Sequence, residues 1–171
     1  YSLDYPASFM LVASMNPCPC GHFPNRRKCS CTDHMIKKYQ DKLSGPLLDR
    51  IDMIIQVPSV KYEELRRRKE AEPSEVIKER VNYARKRQHR RFGESTGMCN
   101  ARMGPNELRY YCKLDEESHE LMKMAFETFN LTARSYDRIL KVARTIADLD
   151  DCDNINSDHL AEAIRYRTIN L

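Results

Sequence analysis

The sequence predicts an α/β element with about two parallel strands, followed by an all-α part. Three observations carry this expectation. Phe9-Met10-Leu11-Val12-Ala13-Ser14-Met15 is a nearly continuous apolar run, which suits a strand covered on both faces in a helix-flanked parallel sheet. Met53-Ile54-Ile55-Gln56-Val57 is a second short run, β-branched and stopped by Pro58. From Ser74 onward the apolar spacing becomes helical and stays so. Residues 16–52, which join the two runs, are too many for a hairpin and fit the crossover of a parallel sheet.

The elements follow in order. After a cysteine-rich loop, a short helix is expected at 35–42, closed by Ser44-Gly45-Pro46. Ser74, after Pro73, caps a helix whose Ile77, Val81, Ala84 and Gln88 share one face and which ends at Phe92-Gly93. Residues 93–97 read as a turn. Leu121, Met122, Ala125, Phe126 and Phe129 mark the next amphipathic helix. Thr132 caps another, carrying Tyr136, Ile139, Leu140, Ala143, Ile146 and Ala147. Ser157 is the expected cap of the last, with Leu160, Ala163, Ile164 and Arg167 following. Three regions result: 1–60 with the strands and the cysteine loop, 61–97 as a basic helical connector, and 98–171 as a helical bundle.

The 171 residues carry a net charge of +4, unevenly spread: +9 over residues 1–114 and −5 over 115–171. Such a split suggests that the two halves face different partners, although charge also solvates helical surfaces. The longest apolar run falls far short of the about 20 residues a membrane span needs. The first residues have neither the basic nor the apolar region of a signal peptide. A cytoplasmic protein with reduced thiols is therefore expected. The chain does not open on Met, which suggests a piece of something longer.

Four of the seven cysteines form two Cys-x-Cys pairs, Cys18/Cys20 and Cys29/Cys31. Zn²⁺ takes four thiolate or imidazole ligands in a tetrahedron, and two short pairs on one loop can supply them, with His22 or His34 as substitutes. Arg26, Arg27 and Lys28 would offset the thiolate charge. One intervening residue is fewer than the usual two to four, so redox pairs and unliganded thiols stay open as readings. Cys99, Cys112 and Cys152 are scattered and read as small core residues.

Lys78 to Arg91 holds seven basic residues against one Glu, with Arg85, Lys86, Arg87, Arg90 and Arg91 as a block. A basic helical stripe can neutralise nucleic-acid phosphates, or simply form a solvated face. No phosphate-cradling Gly-x-x-x-x-Gly-Lys-Ser/Thr loop is present, and no Ser-His-Asp or His-Glu-x-x-His set assembles. Three polar residues stand in suggestive settings. Asn16 follows the first strand, at the end where α/β sheets bind ligands. Arg50 precedes the second, and Arg134 opens the helix after Thr132.

Three motifs in this order resemble the magnesium-chelatase-related AAA+ ATPases, most nearly the ComM-like (YifB-like) subfamily. Pro6-Ala7-Ser8-Phe9 through Met15-Asn16-Pro17-Cys18-Pro19-Cys20-Gly21 looks like the sensor 1 strand and its cysteine loop. Leu43-Ser44-Gly45-Pro46-Leu47-Leu48-Asp49-Arg50-Ile51-Asp52 looks like the arginine-finger segment. Leu131-Thr132-Ala133-Arg134-Ser135-Tyr136-Asp137-Arg138, running on through Arg144, looks like the sensor 2 helix. The resemblance implies an incomplete AAA+ parallel-sheet core followed by a helical lid, with the P-loop upstream. It implies that Asn16 senses the γ-phosphate or orients water, and that Arg50 reaches a neighbouring subunit's nucleotide. Arg134 would contact phosphate from the lid, with Arg138 competing for that place. ATP and Mg²⁺ are the implied cofactors, and a ring hexamer working on DNA in helicase or branch-migration activity is the implied assembly. A metal-chelatase ATPase subunit and a zinc-stabilised nucleic-acid-binding module are the alternatives. A piece of this kind is expected to be inactive as an ATPase by itself.

Overall fold

The computed structural model describes residues 3, 9–60, 62, 66, 71–94 and 97–167. Pro6, Ala7 and Ser8 of the first motif, Arg67, Arg68 and Lys69 of the basic connector, and Ser95 and Thr96 of the 93–97 turn lie outside them. The described residues fall into two compact units, one up to Leu48 and one from Asp49 onward.

The first unit is built on sulfur. Cys18 and Cys31 are buried with Ile36, and Cys20, Phe23 and Cys29 pack against them. Ile36 comes from helix α1 (Asp33–Gln40), whose start is set by the Thr32 hydroxyl accepting the Met35 amide at 3.3 Å. Gln40, the last residue of α1, donates to the Pro17 carbonyl at 3.2 Å and ties the helix to the start of the loop. The helix begins two residues earlier than the sequence suggests, because Thr32 is the cap. A one-turn helix, α2 (Gly45–Leu48), closes the unit.

The second unit is a helical bundle. Helix α3 (Ser74–Phe92) leads to a 3-10 turn at Asn100–Arg102. Helices α4 (Pro105–Tyr111), α5 (Glu116–Phe129), α6 (Ala133–Leu149) and α7 (Ser157–Arg165) follow. Helix α6 is the centre: α3, the 3-10 turn, α4 and α7 pack on it, while α5 packs on α7. Ile139, Ala143 and Ala147 recur every four residues on one face of α6, so they form one buried stripe. Leu160 and Ala163 of α7 meet that stripe, and the small alanines let the helices approach closely. Helix α4 went unread in the sequence. Its signal is Gly104-Pro105 with Glu107 three residues on, whose carboxylate accepts the Gly104 amide at 2.9 Å. The start of α7 also shifts: Asn156, not Ser157, is its cap.

A buried ion network joins these helices. Asp148 of α6 is fully buried. Its carboxylate takes Arg91 at 2.5 and 2.8 Å, Asn100 at 2.8 Å and Arg144 at 3.2 Å. Burial pulls the Arg144 guanidinium below arginine's ordinary range, and Asp148 opposes that pull. Arg144 also donates to the carbonyls of Cys152 (2.5 Å) and Asp153 (2.7 Å), just past the end of α6. There Asp151 takes a left-handed conformation (φ 56°) usually left to glycine. Its carboxylate explains the choice: it receives Arg87 and the Tyr83 hydroxyl from α3.

The two expected strands are not formed. Among the described residues there is no strand, and the apolar side chains of residues 9–12 stand open, Met10 at 87% exposure and Val12 at 81%. A strand exists through its ladder of backbone bonds, and neither segment has a ladder partner among the described residues. The second segment makes a lone backbone bond to the bundle instead, from the Ile54 amide to the Tyr166 carbonyl at 2.8 Å. No helix among the described residues is long and apolar enough to cross a membrane.

This difference is measurable by amide hydrogen exchange. Amides of residues 9–15 and 53–55 should exchange within seconds to minutes, with Ile54 slower than its neighbours, while those of α6 and α7 persist much longer. Equal protection in the two runs and in α6 would contradict the architecture.

Candidate functional site

The four loop cysteines converge. Cys18 Sγ lies 3.4 Å from Cys20 Sγ and 3.8 Å from Cys29 Sγ, and Cys20 and Cys29 are 3.5 Å apart. All four sulfurs, Cys31 included, lie within 4.8 Å of one another. A tetrahedral site with Zn–S near 2.3 Å has sulfur–sulfur edges of about 3.8 Å, so the donor set fits that ion. Turns bring the sulfurs in. The Gly21 amide donates to the Cys18 carbonyl at 3.0 Å, and Gly21 sits at φ +77°, where a side chain would be strained. The Phe23 amide points at Cys18 Sγ from 3.4 Å. His22 and His34 are exposed, and the sulfur set is complete without them.

The same geometry polarises the thiols. The backbone hydrogen bond from His22 holds Cys20 far below the ordinary thiol range, at about 5, against the opposing effect of burial. Cys31 moves the other way, to about 11. The backbone of Cys20 pulls it down, but burial and the sulfurs of Cys20 and Cys18 outweigh that pull. Sulfurs this close compete for negative charge, and a divalent cation removes the competition.

A second cluster, Asp150, Cys152 and His159, also brings its donor atoms within 4.8 Å. It is a helix cap. The Asn156 amide donates to His159 Nδ1 at 3.2 Å, while Asn156 Oδ1 accepts the His159 amide at 2.9 Å. With Nδ1 accepting, the ring proton resides on Nε2, which faces Asp150 Oδ2 at 3.2 Å. That nitrogen has no lone pair left for a metal.

The sequence-picked residues are placed as follows. Asn16, in the first unit, is exposed, and its amide group lies 3.7 Å from where a Gly21 side chain would begin. In the second unit Arg50 is exposed, and so is Arg134 in the first turn of α6. Arg138, one turn on, pairs with Asp52. The basic block of α3 divides: Arg85, Lys86 and Arg90 are exposed, whereas Arg87 and Arg91 turn inward to Asp151, Asp153 and Asp148. Of the scattered cysteines, Cys112 is buried, with burial pushing its thiol up to about 11, while Cys99 and Cys152 are half-buried. The inward arginines were missed because their acidic partners lie far along the chain.

Comparison with known proteins finds two matching family models. The family described as "Magnesium chelatase, subunit ChlI C-terminal" matches residues 71–167, and that described as "Magnesium chelatase, subunit ChlI" matches residues 1–65. "Uncharacterized protein YifB" of Escherichia coli is 39% identical over 98% of this chain and 32% of its own length. "Competence protein ComM" of Haemophilus influenzae is 38% identical over the same shares. "Uncharacterized protein Rv2897c" of Mycobacterium tuberculosis is 31% identical over 95% of this chain and 32% of its own. The chain thus spans about a third of the length of these curated relatives.

The division of α3 predicts unequal effects of equal substitutions. Arg91→Ala leaves Asp148 buried beside fewer cations and should cost about 3 kcal/mol or more in denaturant unfolding. Arg85→Ala and Lys86→Ala, on the exposed face, should stay within about 0.5 kcal/mol of the parent. Comparable losses from Arg85→Ala would show that both faces are structural.

Proposed function

The chain belongs to the magnesium chelatase ChlI family, whose carboxyl-terminal domain covers residues 71–167, and from that premise we propose that it supplies sensor 1, arginine finger and sensor 2 to a ring-forming AAA+ ATPase acting on DNA. One observation carries the reading. Arg50 and Arg134, at the motif positions, are both exposed at the surface of the second unit. An exposed guanidinium can present its donors to a phosphate, as the finger and lid roles require.

In this reading the whole protein binds ATP and Mg²⁺ and assembles as a homohexamer. Arg50 enters a neighbouring subunit's site and stabilises charge developing on the transferred phosphoryl group. Arg134 contacts phosphate from the positive end of α6. Asn16 orients the attacking water. Arg85, Lys86 and Arg90 offer an exposed cationic row on α3 for DNA phosphates. Cys18, Cys20, Cys29 and Cys31 hold one structural Zn²⁺, which adds cross-links to a unit with a very small apolar core. The family description favours a second reading, an ATPase subunit of a metal chelatase; binding of a tetrapyrrole by the whole protein would select it.

Two experiments test the proposal. In the whole assembled protein, Arg50→Ala should lower ATP turnover by about 10³-fold while leaving ATP affinity nearly unchanged. Arg134→Ala should weaken both binding and turnover. Wild-type turnover by Arg50→Ala would reject the finger assignment. For the metal, protein purified without chelators should contain about one Zn²⁺ per chain, and Cys20→Ser should release it. Elemental analysis finding no metal in the parent would reject the zinc site.

A further inference from the structure

The short segment that carries Arg50 is held on both sides of that residue. Before it, Asp49 accepts from the Ser135 hydroxyl at 3.4 Å and from Arg167 at 3.5 Å, and Arg167 also donates to Ser135 Oγ at 2.9 Å. After it, Arg167 donates to the Ile51 carbonyl and Arg138 pairs with Asp52. The Ile54 amide then bonds the Tyr166 carbonyl at 2.8 Å. Ser135 and Arg138 belong to the first two turns of α6, where Arg134 is exposed. Two carboxylates meet two guanidiniums, so the arrangement is neutral and offers no surplus charge to a phosphate.

Strength alone does not account for it. The Arg138–Asp52 pair is well exposed on the Asp52 side (55%), and exposed pairs add little to stability. A set of contacts on both sides of one arginine does restrict where that guanidinium can go. We propose that Asp49 and Asp52, gripped by Ser135, Arg167 and Arg138, form a positioning clamp that fixes the Arg50 segment to the start of α6. Arg50 and Arg134 then move as one body, and a shift of the lid helix carries the finger with it. Arg138 is a positioning residue in this account, with no contact to nucleotide. The clamp rests on the reading of Arg50 as a finger.

The test uses steady-state ATP hydrolysis by the whole assembled protein. Asp52→Asn and Arg138→Gln should each lower kcat about 10- to 100-fold, the scale on which small misplacements act, with KM for ATP changed less than about twofold. The double exchange Asp52→Arg with Arg138→Asp should recover much of kcat, which a general loss of folding would not do. Thermal unfolding should show the single variants as folded as the parent. Wild-type kcat in both single variants, while Arg50→Ala abolishes turnover, would overturn the clamp and leave the finger standing. Wild-type turnover by Arg50→Ala would overturn the finger reading, and the clamp with it. A rise in KM with unchanged kcat in Arg138→Gln would also overturn the clamp, because it would make Arg138 a nucleotide ligand.

Discussion

The carboxylate of Asp148 is the interaction on which the helical bundle depends. A fully buried carboxylate costs several kcal/mol to desolvate and has to be met by donors. Here Arg91 of α3, Asn100 of the 3-10 turn and Arg144 of α6 itself all meet it. Each of these partners brings its own backbone to the same point. Asn100, in turn, holds Gln88 through its backbone amide at 3.0 Å, and Thr145 at 3.1 Å. The position of α3 against α6 and the turn after α3 are therefore set by one acid. The apolar stripe of Ile139, Ala143 and Ala147 gives the bundle its driving force without fixing its register so narrowly.

The network also sorts charge. The inward face of α3 spends Arg87 and Arg91 on Asp148, Asp151 and Asp153, and the outward face keeps Arg85, Lys86 and Arg90 in water. A helix that looks uniformly basic thus has a structural side and a solvent-facing side. The same sorting recurs around α6, where Arg138 and Arg167 serve carboxylates and Arg134 faces solvent.

The first unit meets the opposite problem, too little apolar material. Ile36 is its one buried aliphatic side chain among the described residues, beside Cys18 and Cys31. Segments this small commonly rely on cross-links or a metal in place of a large core. Four converging sulfurs on a loop shaped by Gly21 are consistent with that need.

What the sequence determined by itself was local. The end of α3 at Phe92, the Thr132 cap, the apolar face of α6 and the set of four cysteines were all legible, because helical periodicity, capping and ligand spacing involve residues a few positions apart. Gly104-Pro105 with Glu107 was equally local and could have been read as a helix start. Only the tertiary structure decided the rest. Arg91 finds Asp148 at a distance of 57 positions and Arg138 finds Asp52 at 86, so no window of sequence could divide the arginines into buried and exposed. The runs at 9–15 and 53–57 carry strand composition but no strand, since β-structure is a property of paired segments and a run of apolar residues names no partner.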